Sequence, residues 1–212
     1  ELTTNELIHL LDTDFEGHEE ERIRMMNLPK YGNDDDRADR LKTEIDRHVC
    51  QAAIRAGRQA GLDSYLVVFI NNDANTILGR YTGASPDGRH AGTSMANGNA
   101  PSGGCDRNGV TALLNSMIKP DIRIHAGAVQ NNKFSRSLFT EHRAQLKALL
   151  NGYFDNGGAQ LMITVVDRGD LENALREPDK YRNLIVRVGG FSARFVELAP
   201  NVQQEILSRT LY

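Results

Sequence analysis

The residues Leu184–Gly190 read Leu-Ile-Val-Arg-Val-Gly-Gly, a β-rich run that ends at two adjacent glycines. Large apolar side chains flank a single arginine, which is typical of a buried strand. Two glycines directly after a strand indicate a tight turn, a bulge or the close approach of another backbone segment. This stretch therefore predicts a strand that runs into a sharp break in the backbone.

The segments on either side of this strand each predict a helix. Upstream, Asp167 has the position of an N-cap and Pro178 that of a stop, which favours a helix between them. Downstream, Asn201 is predicted to cap a final helix, with Gln204 at N3, that runs to Tyr212.

Two more strands and four more helices are predicted farther out. The strands are Leu161–Val166 and residues 65–70, which are both apolar runs of strand length. Thr3 and Glu6 have capping-box spacing before a helical recurrence of leucines. The remaining helices are predicted over residues 37–60, 110–118 and 140–153, and Gly61 has the position of a C-terminal cap for the first of these. Alternating strands and helices place the chain in the α/β class, and three strands are too few to close a barrel, so part of the fold is expected to be missing.

Residues 71–109 are rich in Gly, Asn, Asp, Pro and Ser and are predicted to form a long loop-like region. A segment of this length inside a compact domain is normally functional or disordered. The turn signals Pro86-Asp87-Gly88 and Ala96-Asn97-Gly98-Asn99 favour an ordered structure over a flexible linker.

Composition excludes several classes of protein. The chain has 212 residues, with 25 Lys and Arg against 28 Asp and Glu. A net charge of −3 gives no reason to expect nucleic acid as a partner. No apolar run approaches the roughly 20 residues that span a bilayer, and no signal peptide opens the chain. Two cysteines cannot build a disulfide framework, which favours a reducing interior. Since the first residue is Glu1 and not Met, the chain is expected to come from a longer or processed polypeptide.

The titratable clusters favour structural roles. Asp34–Asp36 lacks the ligand spacing of a calcium loop and is predicted to be a solvated turn. Cys50 falls on the apolar face of the 37–60 helix, which is also marked by Leu41 and Ile45, and is predicted to be a small core residue. Cys105 lies in a glycine-rich loop, where Arg107 and a following helix N-terminus would favour a thiolate, but no histidine stands close in sequence. None of the six histidines has metal-ligand spacing, and each is predicted to be structural or at the surface: His9, His18, His48, His90, His125 and His142.

Three separated regions together resemble the C-terminal part of the glycyl radical enzymes, the pyruvate formate-lyase-like superfamily. These regions are Pro86–Gly92 with Asn108–Ser116, Gly157–Leu161 with Val165–Arg168, and Pro178–Tyr181 with Ile185–Phe195 and Gln203–Thr210. The radical signature of the family is Arg-Val-x-Gly followed by Tyr or Phe, which Arg187–Phe191 matches in full.

By that resemblance, Gly190 is the radical carrier. A backbone Cα radical is stabilised by donation from its amide nitrogen and withdrawal by its carbonyl, which requires a planar carbon that glycine tolerates best. The resemblance implies that a radical S-adenosylmethionine activating enzyme with an iron–sulfur cluster installs the radical. The radical then passes to a cysteine, whose thiyl takes a hydrogen atom from a small organic substrate. No bound cofactor or metal is implied, whereas a homodimer and an anaerobic cytoplasm are.

This sequence departs from the family pattern at several positions. Nothing in the chain resembles the loop that carries the thiyl cysteine, so that role is not assigned to Cys50 or Cys105. Thr164 stands where many relatives have asparagine, which puts in doubt any strand contact that the asparagine makes. Gly189 stands where pyruvate formate-lyases proper tend to have serine, which favours the dehydratase, decarboxylase and other lyase branches.

The fold that the resemblance implies is the C-terminal half of a ten-stranded α/β barrel, with the Gly190 loop inside. Residues 1–63 would be a helical segment leading into the barrel, and residues 64–212 the half-barrel with the glycyl radical domain. Without the cysteine loop, the chain alone is predicted to be inactive. Two alternatives are an independent radical-bearing subunit that acts only with a partner chain, and a binding or scaffold protein that carries no radical. The substrate is not predicted, although Asn71–Asn75, Ile163–Val165 and the loop near Cys105 could form part of a pocket wall.

Overall fold

The computed structural model describes residues 2–212 and shows a mixed α/β chain. Its α-helices, in chain order, are α1 Thr4–Asp12, α2 Glu19–Met26, α3 Asp36–Gln59, α4 Ala74–Gly79, α5 Gly109–Ile118, α6 Ser137–Thr140, α7 Arg143–Asp155, α8 Arg168–Arg176 and α9 Pro200–Ser208. Its strands are β1 Val68–Phe69, β2 Gly127–Ala128, β3 Asn131–Phe134, β4 Met162–Val165, β5 Ile185–Arg187 and β6 Ser192–Arg194.

The strands pair two by two. Strands β1 and β2 are parallel, with Val68 opposite Gly127, and β3 and β4 are parallel, with Asn131 opposite Met162. Strands β5 and β6 form an antiparallel hairpin, with Arg187 opposite Ser192. The described residues therefore form three two-stranded sheets, and the ten-stranded barrel itself is not seen in them.

The strongest local signals predicted the helices well. Thr3 and Glu6 form the reciprocal capping box at the start of α1. Asp35 caps α3, which begins at Asp36, and its side chain accepts from the amide of Arg37. Gly61 follows the end of α3 with a φ of +74°, a conformation that favours glycine.

Several predicted boundaries were wrong. The last helix begins at Pro200, with Ala199 and not Asn201 at the N-cap, because the fixed φ of proline suits the first turn. It ends at Ser208 and not at Tyr212, because the final residues extend along β3, where the amide of Tyr212 donates to the carbonyl of Lys133. Asp167 does sit at the N-cap of α8, but its side chain makes no capping hydrogen bond.

Six elements of the described chain lie where the sequence predicted none: helices α2, α4 and α6 and strands β2, β3 and β6. Helix α4 lies within the region predicted to be a loop, and the polar strand β3 was not predicted at all. The strand predicted over residues 65–70 is shorter than expected, because only Val68 and Phe69 pair with β2.

The main core lies beneath the β5–β6 hairpin. Leu171 of α8 and Ile206 of α9 pack there against Val186 of β5, Val188 just after it and Phe195 just after β6. These side chains fix the hairpin on the body of the molecule.

The prediction that α3 buries its apolar stripe was wrong. Leu41 is 60% exposed and Ile45 is 54% exposed, whereas Cys50 is fully buried as predicted. The helix contacts the rest of the described chain through its other side, where Asp39 and Gly57 are buried. No helix among the described residues is both long and apolar enough to cross a membrane.

Candidate functional site

The two glycines lie at the tip of the β5–β6 hairpin, as the sequence predicted for a sharp break. The four residues Val188–Phe191 form the turn, in which the amide of Val188 donates to the carbonyl of Phe191 at 3.0 Å. Val188 is buried in the core beneath the hairpin. The tip is therefore fixed on one side by a buried strand end and projects beyond the core on the other.

Gly189 is glycine because of close packing. It is buried, and a Cβ built on it would lie 2.5 Å from Cα and 2.6 Å from the carbonyl oxygen of Asn72. Those are backbone atoms that cannot give way cheaply, so the tip approaches the Asn72 backbone more closely than any side chain would allow.

Gly190 has a different environment. Its φ lies outside the left-handed region, and a Cβ there would meet only the Cδ1 end of Ile70, at 2.9 Å, and Asn72 Oδ1, at 3.3 Å. Both are ends of side chains that can move. Packing therefore explains a glycine at 189 and gives no comparable reason for one at 190.

The expected burial of Gly190 inside a barrel is not seen in the described chain. Gly190 is exposed, and the neighbouring Phe191 is 45% exposed. Ile70 and Asn72 lie against one side of the tip.

Arg187 links the strand to the tip. Its guanidinium donates to the carbonyl oxygen of Gly190 at 3.2 Å and to Ser192 Oγ at 3.1 Å. Its backbone amide donates to Thr164 Oγ1 at 3.0 Å. Thr164 therefore makes a strand contact of its own at the position where the family pattern suggested asparagine.

A network of buried amides lies behind the tip. The side chain of Asn97 donates to the carbonyl of Asn72 at 3.4 Å, and Asn131 Nδ2 donates to Asn97 Oδ1 at 2.8 Å. Asn131 Nδ2 also lies 3.4 Å from the carbonyl oxygen of Val188, at the base of the turn. Sequence reasoning missed Asn131 because strand β3 is polar. The rest of the network had two traces in the sequence, the Asn97-Gly98 turn signal and the Asn71–Asn75 segment that was expected to form part of a pocket wall.

Neither cysteine is poised for reaction in the described chain. Burial raises the pKa of the Cys50 thiol, with the nearby carboxylate of Asp46 acting in the same direction. Desolvation also raises the pKa of Cys105, and outweighs the cations Lys30 and Arg107. Arg107 favours the Cys105 thiolate as expected, but burial outweighs its effect on the pKa.

The acidic turn Asp34–Asp36 is an ion-pair cluster more than a solvated turn. Lys119 Nζ lies 2.7 Å from Asp34, 3.0 Å from Asp36 and 2.6 Å from the buried Asp39. Among the described residues, no group of three or more His, Cys, Asp or Glu side chains could hold a metal ion.

Two models of known protein families match parts of this chain. The family model described as "Glycine radical" matches residues 95–196, which include the hairpin, and the model described as "Pyruvate formate lyase-like" matches residues 1–79.

Among curated proteins, the chain is 34% identical to an isethionate sulfite-lyase of Bilophila wadsworthia, over 99% of this chain and 26% of the relative. It is 37% identical to a probable dehydratase of Escherichia coli, over 97% of this chain and 27% of the relative. Among solved structures, the B12-independent glycerol dehydratase from Clostridium butyricum in its glycerol-bound form aligns with a TM-score of 0.92 at 36% identity. That alignment covers 100% of this chain and 27% of the dehydratase. The chain thus spans about a quarter of the length of the relatives it matches.

Proposed function

The chain belongs to the glycyl radical enzyme family, and from that premise we propose that Gly190 is its radical carrier. The chain would hold an unpaired electron on the Cα of Gly190 and pass it to a cysteine thiol. The resulting thiyl would take a hydrogen atom from a small organic substrate. The relatives include lyases and dehydratases, and we place the reaction in that general class.

The contrast between the two glycines carries this proposal. A side chain at 189 would collide with the backbone of Asn72, whereas a side chain at 190 would meet only movable groups. The absence of a backbone clash at 190 leaves the glycine there open to a chemical role. The Cα of glycine can become planar without driving a side chain into its neighbours.

The surroundings of Gly190 suit a Cα radical electronically. Such a radical is stabilised when the adjoining carbonyl withdraws electron density. The carbonyl of Gly190 accepts a hydrogen bond from the cationic guanidinium of Arg187, which strengthens that withdrawal. In activation, a hydrogen atom would leave the Cα of Gly190 for a radical on the activating enzyme. In turnover, a cysteine S–H would return a hydrogen atom to that Cα, leaving the unpaired electron on sulfur.

We propose that the reacting cysteine is neither Cys50 nor Cys105. Cys50 is fully buried in α3, and nothing in the chain resembles the loop that carries the thiyl cysteine in the family. The chain spans about a quarter of its relatives, so we place the thiyl cysteine in polypeptide that these residues do not contain. By itself the chain would then be inactive.

The exposed apolar surface around the tip supports a covering segment. Ile70, which lies against Gly190, is 43% exposed, Phe191 in the turn is 45% exposed, and Ile185 in β5 is 61% exposed. Adjacent exposed apolar groups of this kind mark a surface that another segment covers. We propose that the remaining strands of a ten-stranded barrel lie there and enclose Gly190, with residues 1–63 leading into the barrel and residues 64–212 forming its half.

The other proposed partners follow from the family. A radical S-adenosylmethionine activating enzyme with an iron–sulfur cluster would install the radical, and a second copy of the enzyme would complete a dimer. The setting would be an anaerobic cytoplasm, because an exposed carbon radical reacts with oxygen.

Electron paramagnetic resonance after anaerobic activation tests the proposal. The native protein should give an organic radical signal, and Gly190→Ala should give none. Because the added methyl group meets only the ends of Ile70 and Asn72, the variant should fold, and its circular dichroism spectrum is the control. No signal in the native protein, or the same signal in Gly190→Ala, would refute the assignment.

The same exposed tip favours a second candidate, an independent radical-bearing subunit that works with a separate cysteine-bearing chain. The two candidates differ in covalent connection. The mass of the native polypeptide in its source cell separates them, because a single longer chain excludes the split form.

A further inference from the structure

We propose that Arg209, held by Glu205, is the positioning residue of the glycine turn. Its guanidinium would fix the carbonyl groups at the start of the turn and so determine where the Cα of Gly190 lies. This inference rests on the assignment of Gly190 as radical carrier.

The turn lacks one of its own backbone hydrogen bonds. In a hydrogen-bonded β-turn, the amide of the fourth residue donates to the carbonyl of the first. In the described structure Val188 N–H donates to Phe191, but the reverse bond from the Phe191 amide to the Val188 carbonyl is not formed. The Val188 carbonyl is therefore free to accept from elsewhere.

Arg209 takes up that carbonyl and its neighbour. Its Nη2 donates to the carbonyl oxygen of Val188 at 2.5 Å, and its Nη1 donates to the carbonyl oxygen of Arg187 at 2.8 Å. One rigid, planar group thus holds two consecutive peptide units directly before Gly189. These hydrogen bonds from the Arg209 guanidinium take the place of the missing bond from the Phe191 amide to the Val188 carbonyl.

Glu205 fixes the guanidinium from the other side. Its carboxylate accepts from Arg209 Nε at 3.1 Å and from Nη2 at 2.7 Å. Glu205 lies in the last turn of α9, and Arg209 is the residue that follows the end of this helix. The side chain of Arg209 is only 9% exposed and that of Glu205 only 7% exposed, so solvent screens this pair weakly. The orientation of the arginine is therefore set by a buried partner.

The backbone on both sides of Arg209 is anchored as well. Before it, α9 packs into the core through Val202 and Ile206. After it, the hydroxyl groups of Thr210 and Tyr212 both donate to the carboxylate of Asp106. The Arg209–Glu205 pair, here called the clamp, is thus attached to the body of the molecule on both sides of Arg209.

Lysine cannot reproduce this arrangement. An ammonium keeps the charge, but it is a point donor and cannot bind two carbonyls and two carboxylate oxygens in one plane. Arg209→Lys is therefore the informative substitution. Arg194→Lys is the matched control, because Arg194 lies in β6 of the same hairpin and pairs with Glu197 at 3.0 Å in an exposed ion pair.

Hydrogen exchange at the base of the turn tests the inference without any activation. The reporters are the amides of Arg187 and Val188, which bond to Thr164 Oγ1 and to the Phe191 carbonyl. In the protein carrying Arg209→Lys, both amides should exchange about tenfold faster than in the native protein. The amides of α8 and of β4 should keep their native rates, and Arg194→Lys should change none of these rates.

Radical content gives the second readout. After anaerobic activation, the Arg209→Lys protein should hold fewer spins per chain than either the native protein or the Arg194→Lys protein. Unchanged exchange at Arg187 and Val188 would overturn the inference. A uniform increase that includes α8 and β4 would also overturn it, because Arg209 would then serve stability in general. If Arg209→Lys speeds exchange only at Arg187 and Val188 while the native protein gives no spins, the role of Arg209 in the turn is upheld. The assignment of Gly190 as radical carrier is then refuted.

Discussion

The neighbouring glycines at the hairpin tip show how differently one residue type can be used. At 189, the missing side chain lets two backbone segments touch. At 190, the missing side chain has no such steric use, while the carbonyl of the residue accepts from Arg187. Gly189 is thus required by packing, whereas we assign Gly190 to the radical chemistry.

Gly189→Ala should be clearly destabilising. The new Cβ would lie 2.5 Å from the Cα of Asn72, and overpacking of this kind costs about 1–3 kcal/mol. Chemical denaturation measures the change. Gly169→Ala is the control, because a Cβ there meets nothing within 4 Å in helix α8, and alanine should raise the free energy of unfolding slightly. Equal effects of the two substitutions would contradict the packing argument.

Lys133 should make stability depend on pH in the alkaline range. The side chain is 2% exposed, and burial, assisted by Arg209 and Arg168, lowers the pKa of Lys133 from 10.5 to about 8. Below about pH 8 the group is charged in both the native and the unfolded protein, so the full cost of burying the charge is present. Between about pH 8 and 10.5 only the unfolded protein holds the proton, so the free energy of unfolding should rise by up to about 3 kcal/mol.

The comparison with Lys133→Met isolates this contribution. The difference in stability between the native protein and the variant should change with pH across that window, in favour of the native protein as pH rises. Lys147→Met, at an exposed position of α7, should show a constant difference. A pH-independent difference for Lys133→Met would show that the buried amine keeps its ordinary pKa.

At the scale of elements, one lysine joins two helices. Lys119, at the C-cap of α5, binds the first turn of α3 through Asp36 and the buried Asp39. Partial burial lowers the pKa of Lys119, but its hydrogen bonds to Asp34, Asp39 and Asp36 together outweigh burial and raise it. The lysine is therefore charged and compensates a carboxylate that has little contact with water.

Lys119→Met should destabilise the protein by about 3 kcal/mol, because it leaves the carboxylate of Asp39 buried without its cation. Thermal unfolding measures the effect. Lys180→Met is the control, since Lys180 pairs with Glu177 at the surface, where exposed pairs contribute about 0–1 kcal/mol. A loss no larger than that of the control would contradict the view that Lys119 compensates the buried carboxylate of Asp39.

The helices and strands also show which parts of the fold could be predicted from the sequence. Helices with local signals were predictable, because a capping box at Thr3 or a glycine at 61 acts within a few residues of itself. Strand β3 was not, because Asn131 and Lys133 have no apolar pattern and are buried only through partners far away in sequence. Such tertiary burial overrides local propensity.

Only part of the candidate site could likewise be predicted from the sequence. The resemblance pointed to Gly190 and the arginine before it, and the role of Gly190 remains a prediction. The contacts that hold the turn could not be read from the sequence, because Asn72 lies far from Gly189 along the chain and meets it only in the folded structure. Arg209 was part of the matched C-terminal segment, but nothing in that pattern indicates which carbonyls it binds.

At the scale of the whole molecule, apolar side chains are exposed around the hairpin that carries Gly190. A core fixes one side of the hairpin, while apolar side chains such as Ile185 and Phe191 remain exposed on the other. The stripe on α3 is exposed as well. An enclosed radical needs those surfaces covered, and the length of the relatives leaves room for the strands that would cover them.

The most direct test of the central claim locates the radical in the chain. Protein that gives an organic radical signal under anaerobic conditions is exposed to air, and its fragments are weighed by mass spectrometry. Oxygen adds to the carbon radical and breaks the backbone there, so the account predicts a fragment that ends near Gly189 and its C-terminal counterpart. Only full-length chain from a demonstrably activated sample, or a break at another residue, would contradict the assignment of the radical to Gly190.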